Sequence, residues 1–257
     1  MLLSREIRFA LVNDYHDTIT NSWSGWPATT SLAPQLTLTC VIKGEPNETG
    51  YICNIKDLDN LLRQAVTAQI RSGFDNLSFF QLLQKLYDRC VQQWDSAAPI
   101  VEMKLAVTPY LHLKIYSGID SMIELTQQFE FSAAHRLHCD HLSDEENLAT
   151  FGKCNNLEGH GHNYVVEVSV AGTCDEDGQL LPLHQFESIV KQHIIDRLDH
   201  KHLNRDVEYF QKVNPSVENI AKAIYDWLSG KFGELALNRV RVYETPKTWA
   251  QYSKSGG

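Results

Sequence analysis

Two rhythms of apolar positions run along this chain. Phe129-Glu130-Phe131 and Tyr164-Val165-Val166-Glu167-Val168-Ser169-Val170 have the extended pattern of strands, where residues i and i+2 share a face. Elsewhere the spacing is three and four, as in Leu58, Leu61, Leu62, Ala65 and Val66, in Phe186, Ile189, Val190 and Ile194, and in Ile220, Ala221, Ile224, Trp227 and Leu228. That spacing predicts helices with one buried stripe. The elements fall into two similar series. Gly44 and Gly50 precede one helix as Gly172 and Gly178 precede another, and Val107-Thr108-Pro109 closes the first series as Glu244-Thr245-Pro246 closes the second. Each series reads β-β-α-α-β-β, an α+β unit with two helices on an antiparallel sheet. The expected division is 1–118 and 122–257, with Tyr116 to Ser121 as linker.

Length supports that division, since 257 residues are comfortable for two domains. Hydrophobic content of 43% and charged content of 21% describe a globular chain, and a formal charge of −9 argues against broad nucleic-acid or anionic-membrane binding. No apolar run approaches the roughly 20 residues of a bilayer span, and the amino terminus turns charged at once, without a signal-peptide core. Six cysteines without framework spacing read as free thiols in a reducing compartment, so a cytoplasmic location is expected.

Chemistry concentrates in the second series. Gly152-Lys153-Cys154-Asn155-Asn156-Leu157-Glu158-Gly159-His160-Gly161-His162-Asn163-Tyr164 places a thiol six residues ahead of two alternating histidines. On a strand, His160 and His162 project together, and the Phe129–His135 segment offers His135 as a third imidazole. Three imidazoles with an open fourth position suit a catalytic zinc, whereas a closed structural site wants four ligands. The chain has no C-x-x-C pair. The alternative is a polar His-Gly-His turn with His135 as a core residue. Matching the two series favours the metal: Asn13 falls opposite His135, Leu32 and Pro34 opposite His160 and His162, Asn76 opposite His200, and Val107 opposite Glu244, while Asp75 matches Asp199. The fold pattern persists in both series, and ligand-type residues remain in one.

The second series resembles the 6-pyruvoyltetrahydropterin synthase family, which includes the 6-carboxytetrahydropterin synthases. The resemblance runs through Phe131 to Arg136, Ser143 to Leu148, Phe151 to Tyr164, Leu198 to Leu203, Pro215 to Ile220 and Val242 to Pro246. It implies a tunnelling fold (T-fold), present here as two tandem units of which the first, 1–118, is degenerate and non-catalytic. It also implies one Zn2+ per chain on His135, His160 and His162, and an acid–base group of Cys154, Asp199 and His200. Glu244 would anchor the pterin, and Ser216 lies in a segment that approaches it in the family. The family's substrate is 7,8-dihydroneopterin triphosphate.

The reading is therefore a zinc-dependent lyase that eliminates triphosphate to give 6-pyruvoyltetrahydropterin. The six-residue step from Cys154 to His160 resembles the pyruvoyl-forming enzymes. Val242 to Trp249 looks more like the carboxy-forming enzymes of queuosine-type synthesis. A non-enzymatic pterin-binding protein is the further alternative. Sheet edges predict a closed homo-oligomer, a trimer standing in for a hexamer of single units. Arg136, Lys153 and Lys201 are possible triphosphate contacts, and His138, His141, His184, His193 and His202 read as ordinary polar positions. Ser143 with Glu146 predicts a capping box. Gln185 departs from the acidic residue many relatives place at the first helix, which Asp57 retains in the first series.

Overall fold

The computed structural model describes residues 1–12, 15–16, 28–29, 32–74, 77–118 and 122–253. Asn13, Asp75, Asn76 and the linker residues 119–121 lie outside the described residues. The chain is α+β and divides into two compact units, Met1–Leu125 with Gly172–Leu180, and Thr126–Ala171 with Leu181–Gly257.

In the first unit the strands Leu2–Ala10, Gln35–Lys43, Ile100–Thr108 and Leu111–Tyr116 follow one another across an antiparallel sheet. Alternation gives one face of Ile7, Phe9, Leu38, Cys40, Ile42, Met103, Leu105, Leu113 and Ile115, all buried. The helices Ile55–Ser72 and Phe79–Gln93 cover it with Leu58, Leu62, Ala65, Val66, Leu83 and Leu86. Asn54 starts the first helix by accepting from Lys56 N, and Ser78 and Gln81 start the second with a reciprocal capping box.

The second unit carries the strands His160–Thr173, Ala236–Thr245 and Thr248–Tyr252 in ladder order, and the strand Met122–His135 ends in it. Its apolar face is built from Phe131, Ala133, Tyr164, Val166, Val168, Val170, Val240 and Val242. Helix residues Phe186, Val190, Ile194 and Leu198 are buried, as are Ile220, Ala221, Ile224 and Leu228 of Val217–Leu228. The helix Leu183–Val190 widens into a π turn at Lys191–Ile195. It has no side-chain cap; Pro182 occupies that position, and Gln185 is exposed in the first turn.

The helix Asp144–Phe151 starts with the capping box its sequence predicts, Ser143 with Glu146. Fully buried Asn147 accepts from Cys139 N at 2.8 Å and donates to the carbonyls of Cys139, Leu142 and Ser143, each at 3.0 Å. It thereby ties down the loop ahead of the cysteine turn Gly152–Asn155. Among the described residues, no helix is long and apolar enough to cross a membrane.

Candidate metal centre and its acid–base neighbours

Strand alternation builds the centre. Phe131, Ala133 and His135 share a face of one strand; His160, His162, Tyr164 and Val166 share a face of the next; Val240, Val242 and Glu244 share a face of the third. Each apolar stripe therefore ends in a ligand-type residue at the same end of the sheet. His135, His160, His162 and Glu244 each offer one donor atom, and these atoms lie within 4.8 Å of one another. His135 Nε2 is 3.1 Å from His160 Nε2 and 3.3 Å from Glu244 Oε1, and His162 Nε2 is 3.5 Å from the same oxygen. A tetrahedron with metal–nitrogen bonds of about 2.0–2.1 Å has edges of about 3.3–3.4 Å. The group has the dimensions of a metal cage.

The hydrogen bonds behind the imidazoles agree. His135 Nδ1 lies 2.7 Å from the carbonyl oxygen of Pro215. A carbonyl only accepts, so Nδ1 carries the proton and Nε2 presents its lone pair to the cluster. Burial, opposed in part by that bond, pulls the fully buried His135 down to about 4 and keeps it neutral. Burial, then the neighbouring His162, also lowers His160. Among the described residues, buried His162 Nε2 has no hydrogen-bond partner, an expensive arrangement unless a cation completes it. A divalent ion suits this donor set.

Tyr164 backs the group. Its ring stacks on Phe131 at 4.9 Å and meets the edges of His135 and His162 at 6.0 and 5.6 Å. Burial, reinforced by Glu244 and Cys154, pushes its phenol pKa up, and the hydroxyl has no hydrogen-bond partner among the described residues. Cys154 sits half-buried in the turn Gly152–Asn155, with its carbonyl accepting from Leu137 N at 2.9 Å.

Asp199 and His200 form a second constellation. Asp199 Oδ1 accepts from Ser132 N at 2.9 Å, and Oδ2 lies 2.8 Å from His200 Nδ1. The Ser132 amide, then the His200 ring, hold the Asp199 carboxyl below its usual range. His200 adopts a left-handed φ of 56°, rare outside glycine, and its side chain is 84% exposed. The imidazole is thus fixed at one nitrogen and open at the other. Ser132, His162, Asn163, His200, Lys201 and His202 line a cleft of about 540 Å³. A cluster histidine and the exposed imidazole consequently face one space.

The other expected residues are placed plainly. Ser216 is the N-cap of Val217–Leu228, its hydroxyl accepting from Asn219 N. Of the three possible triphosphate contacts, Lys201 lines the cleft, Lys153 is exposed, and Arg136 donates to the Asn155 carbonyl at 3.1 Å. Leu32 and Pro34 put no imidazole in the first unit. His202, read as an ordinary polar position, lines the cleft with both ring nitrogens buried and without a hydrogen-bond partner among the described residues. Sequence reasoning missed the Pro215 carbonyl and the Ser132 amide, for which side-chain patterns carry no signal. It named Glu244 as a substrate contact and did not anticipate its carboxylate lying 3.3 Å from His135 Nε2. The alternation Val240, Val242, Glu244 beside Tyr164, Val166 was the signal for that placement.

Fold and site together define an α+β protein whose antiparallel sheet ends in a three-imidazole, one-carboxylate group able to hold a metal. Residues 124–255 match the model of one protein family, described as 6-pyruvoyl tetrahydropterin synthase. The 6-pyruvoyl tetrahydrobiopterin synthase of Drosophila melanogaster is 47% identical over 50% of this chain and 77% of its own length. The putative 6-carboxy-5,6,7,8-tetrahydropterin synthase of Archaeoglobus fulgidus is 32% identical over 47% of this chain and 87% of its own. The solved 6-pyruvoyl tetrahydropterin synthase of Caenorhabditis elegans aligns with a TM-score of 0.49 at 38% identity, covering 52% of this chain and 96% of that one. This chain belongs to the 6-pyruvoyl tetrahydropterin synthase family and is an enzyme of that type.

Proposed function

We propose that the chain is a zinc-dependent lyase that eliminates triphosphate from 7,8-dihydroneopterin triphosphate to give 6-pyruvoyltetrahydropterin. The observation that carries this reading is the convergence of three imidazole nitrogens and a carboxylate within 4.8 Å of one another, beside a cleft lined by the His200 of an Asp–His pair. Identity of 47% to a pyruvoyl-forming relative against 32% to a carboxy-forming one favours the pyruvoyl product.

In this proposal His135, His160 and His162 hold one Zn2+ per chain. When bound, the ion supplies Lewis-acid polarisation of a side-chain oxygen and acidifies the adjoining C–H. Cys154 is the base that takes that proton. His200, oriented through Nδ1 by Asp199, moves protons at the substrate's side-chain oxygens from its open face. Glu244 accepts from the pterin's amino group and ring N–H. Ser216, whose oxygen already accepts from Asn219 N, offers the substrate its own hydroxyl hydrogen. Residues 1–118 act as a non-catalytic T-fold unit and 122–257 as the catalytic one, and chains associate through sheet edges, with a trimer expected by light scattering. A cytoplasmic setting accords with the free cysteines.

The test is purified protein given dihydroneopterin triphosphate, with metal analysis and mass spectrometry of products. Zinc near one per chain, free triphosphate and 6-pyruvoyltetrahydropterin are expected. Acetaldehyde with a 6-carboxypterin would instead assign the carboxy-forming activity, and pterin binding without turnover would end the enzymatic reading. Cys154→Ala should abolish turnover while retaining zinc.

A further inference from the structure

Apart from the metal centre, we infer that the second unit carries an anion site for an oligophosphate chain, in a cavity of about 520 Å³ lined by Arg136, Arg205 and Lys212. The whole chain is acidic, with a formal charge of −9, yet this lining reverses the sign. Three permanent cations stand there against one carboxylate, Asp140, whose side chain is fully exposed. A concave wall of one sign focuses its field into the space it encloses. The volume falls within the roughly 300–1,000 Å³ of small-molecule sites. Three fixed cations suit a multivalent, extended anion better than a lone carboxylate, and guanidinium groups match phosphate oxygens bidentately.

Each cation is available to a ligand. Arg136 is fastened from behind: its amide donates to Asn204 Oδ1 at 2.8 Å, its carbonyl accepts from Asn204 Nδ2 at 3.0 Å, and its Nε donates to the Asn155 carbonyl at 3.1 Å. Among the described residues no carboxylate pairs with it, so its position is set before an anion arrives, which lowers the ordering cost of binding. Arg205 meets Glu158 at 3.2 Å with both side chains exposed, and such a pair holds its partners weakly. Lys212 is exposed and has no carboxylate partner among the described residues. The cavity adjoins the cleft of the Asp–His pair, because His202 lines both. An oligophosphate there is either the tail of a molecule whose head lies in the cleft or a free anion.

Isothermal titration of the full-length protein with inorganic tripolyphosphate, at ~0.15 M ionic strength, tests the site without turnover. Saturable binding is expected in wild type. Arg205→Gln and Lys212→Gln, both at exposed positions that leave the fold intact, should each weaken it about fivefold to tenfold. The double variant should weaken it about fiftyfold if the two contacts add. Lys222→Gln, which removes a cation outside the cavity, should stay within about twofold of wild type. No saturable binding in wild type overturns the inference, as do equal losses in all three single variants. Binding that survives both cavity substitutions, as it would at a metal, also overturns it. The double variant then identifies the source of the anion. A higher KM for dihydroneopterin triphosphate with kcat kept makes the occupant the tail of that substrate, whereas an unchanged KM makes it a free oligophosphate. Absence of turnover in wild type would defeat the proposed reaction and leave the calorimetric result standing.

Discussion

Two glycines flank His160, and the structure predicts opposite tolerance for them. Gly159 has φ +74°, and a Cβ there would stand 2.7 Å from the His135 carbonyl oxygen and 3.0 Å from His202 Nε2. That first distance is about 0.7 Å short of the 3.4 Å at which ordinary contact begins. The left-handed backbone alone costs an alanine roughly 1–2 kcal/mol, and relieving the contact moves either the turn that delivers His160 or the backbone of His135. Metal ligand distances tolerate only about ±0.2 Å, so half of that displacement is enough to spoil the cage. Gly161 has no left-handed φ, and its Cβ would meet nothing nearer than the Ala133 carbonyl oxygen at 3.6 Å. Gly159→Ala is therefore expected to lose about 2–4 kcal/mol of stability in urea melts of metal-free protein. Zinc affinity, by chelator competition, should fall tenfold or more. Gly161→Ala should stay within about 1 kcal/mol and threefold of wild type. If the two variants prove indistinguishable in both assays, the turn at Gly159 does not position the cluster as described.

Three further outcomes follow from the geometry. Burial lowers the folded-state pKa of His135 from 6.5 to about 4, so between those values the unfolded chain binds more protons. Stability of the metal-free protein should then fall as pH drops through that window, by about 1.4 kcal/mol per unit at most; urea midpoints at pH 7 and 5 check it, and a flat profile refutes it. Asn147→Ala strands one buried amide and up to three carbonyls and should cost about 2–4 kcal/mol, whereas a loss under about 1 kcal/mol would show that loop to be held otherwise. Asp199→Asn should reduce kcat by about 10²–10⁴ with zinc content unchanged; unaltered kcat would remove the Asp–His pair from the chemistry.

Much of this arrangement was legible in the chain because it rests on periodicity. The alternation that makes a strand buried on one face also fixes which side chains meet at its end, so the shared face of His160 and His162 followed from their spacing. Backbone partners were not legible. The Pro215 carbonyl reaches His135 only because the turn before Val217–Leu228 packs there, and the Ser132 amide reaches Asp199 because His200 takes a left-handed φ and its own amide donates to the Ser132 carbonyl at 2.6 Å. Gln185, read from the sequence as a departure from the family pattern, is exposed in an uncapped first turn. Glu244 was legible as important but not as a neighbour of the imidazoles, because one strand's pattern does not state its register against the next.

The bond from His135 to the Pro215 carbonyl makes one ring a reporter on a distant segment. Pro215 lies just ahead of the Ser216 cap, and Ile220 N takes the Ser216 carbonyl, leaving the preceding oxygen free for the imidazole. Selective nitrogen labelling of histidine would therefore let magnetic resonance follow helix seating through the proton on Nδ1. Loosening of that helix would register first as a change of tautomer at a site 80 residues away in sequence.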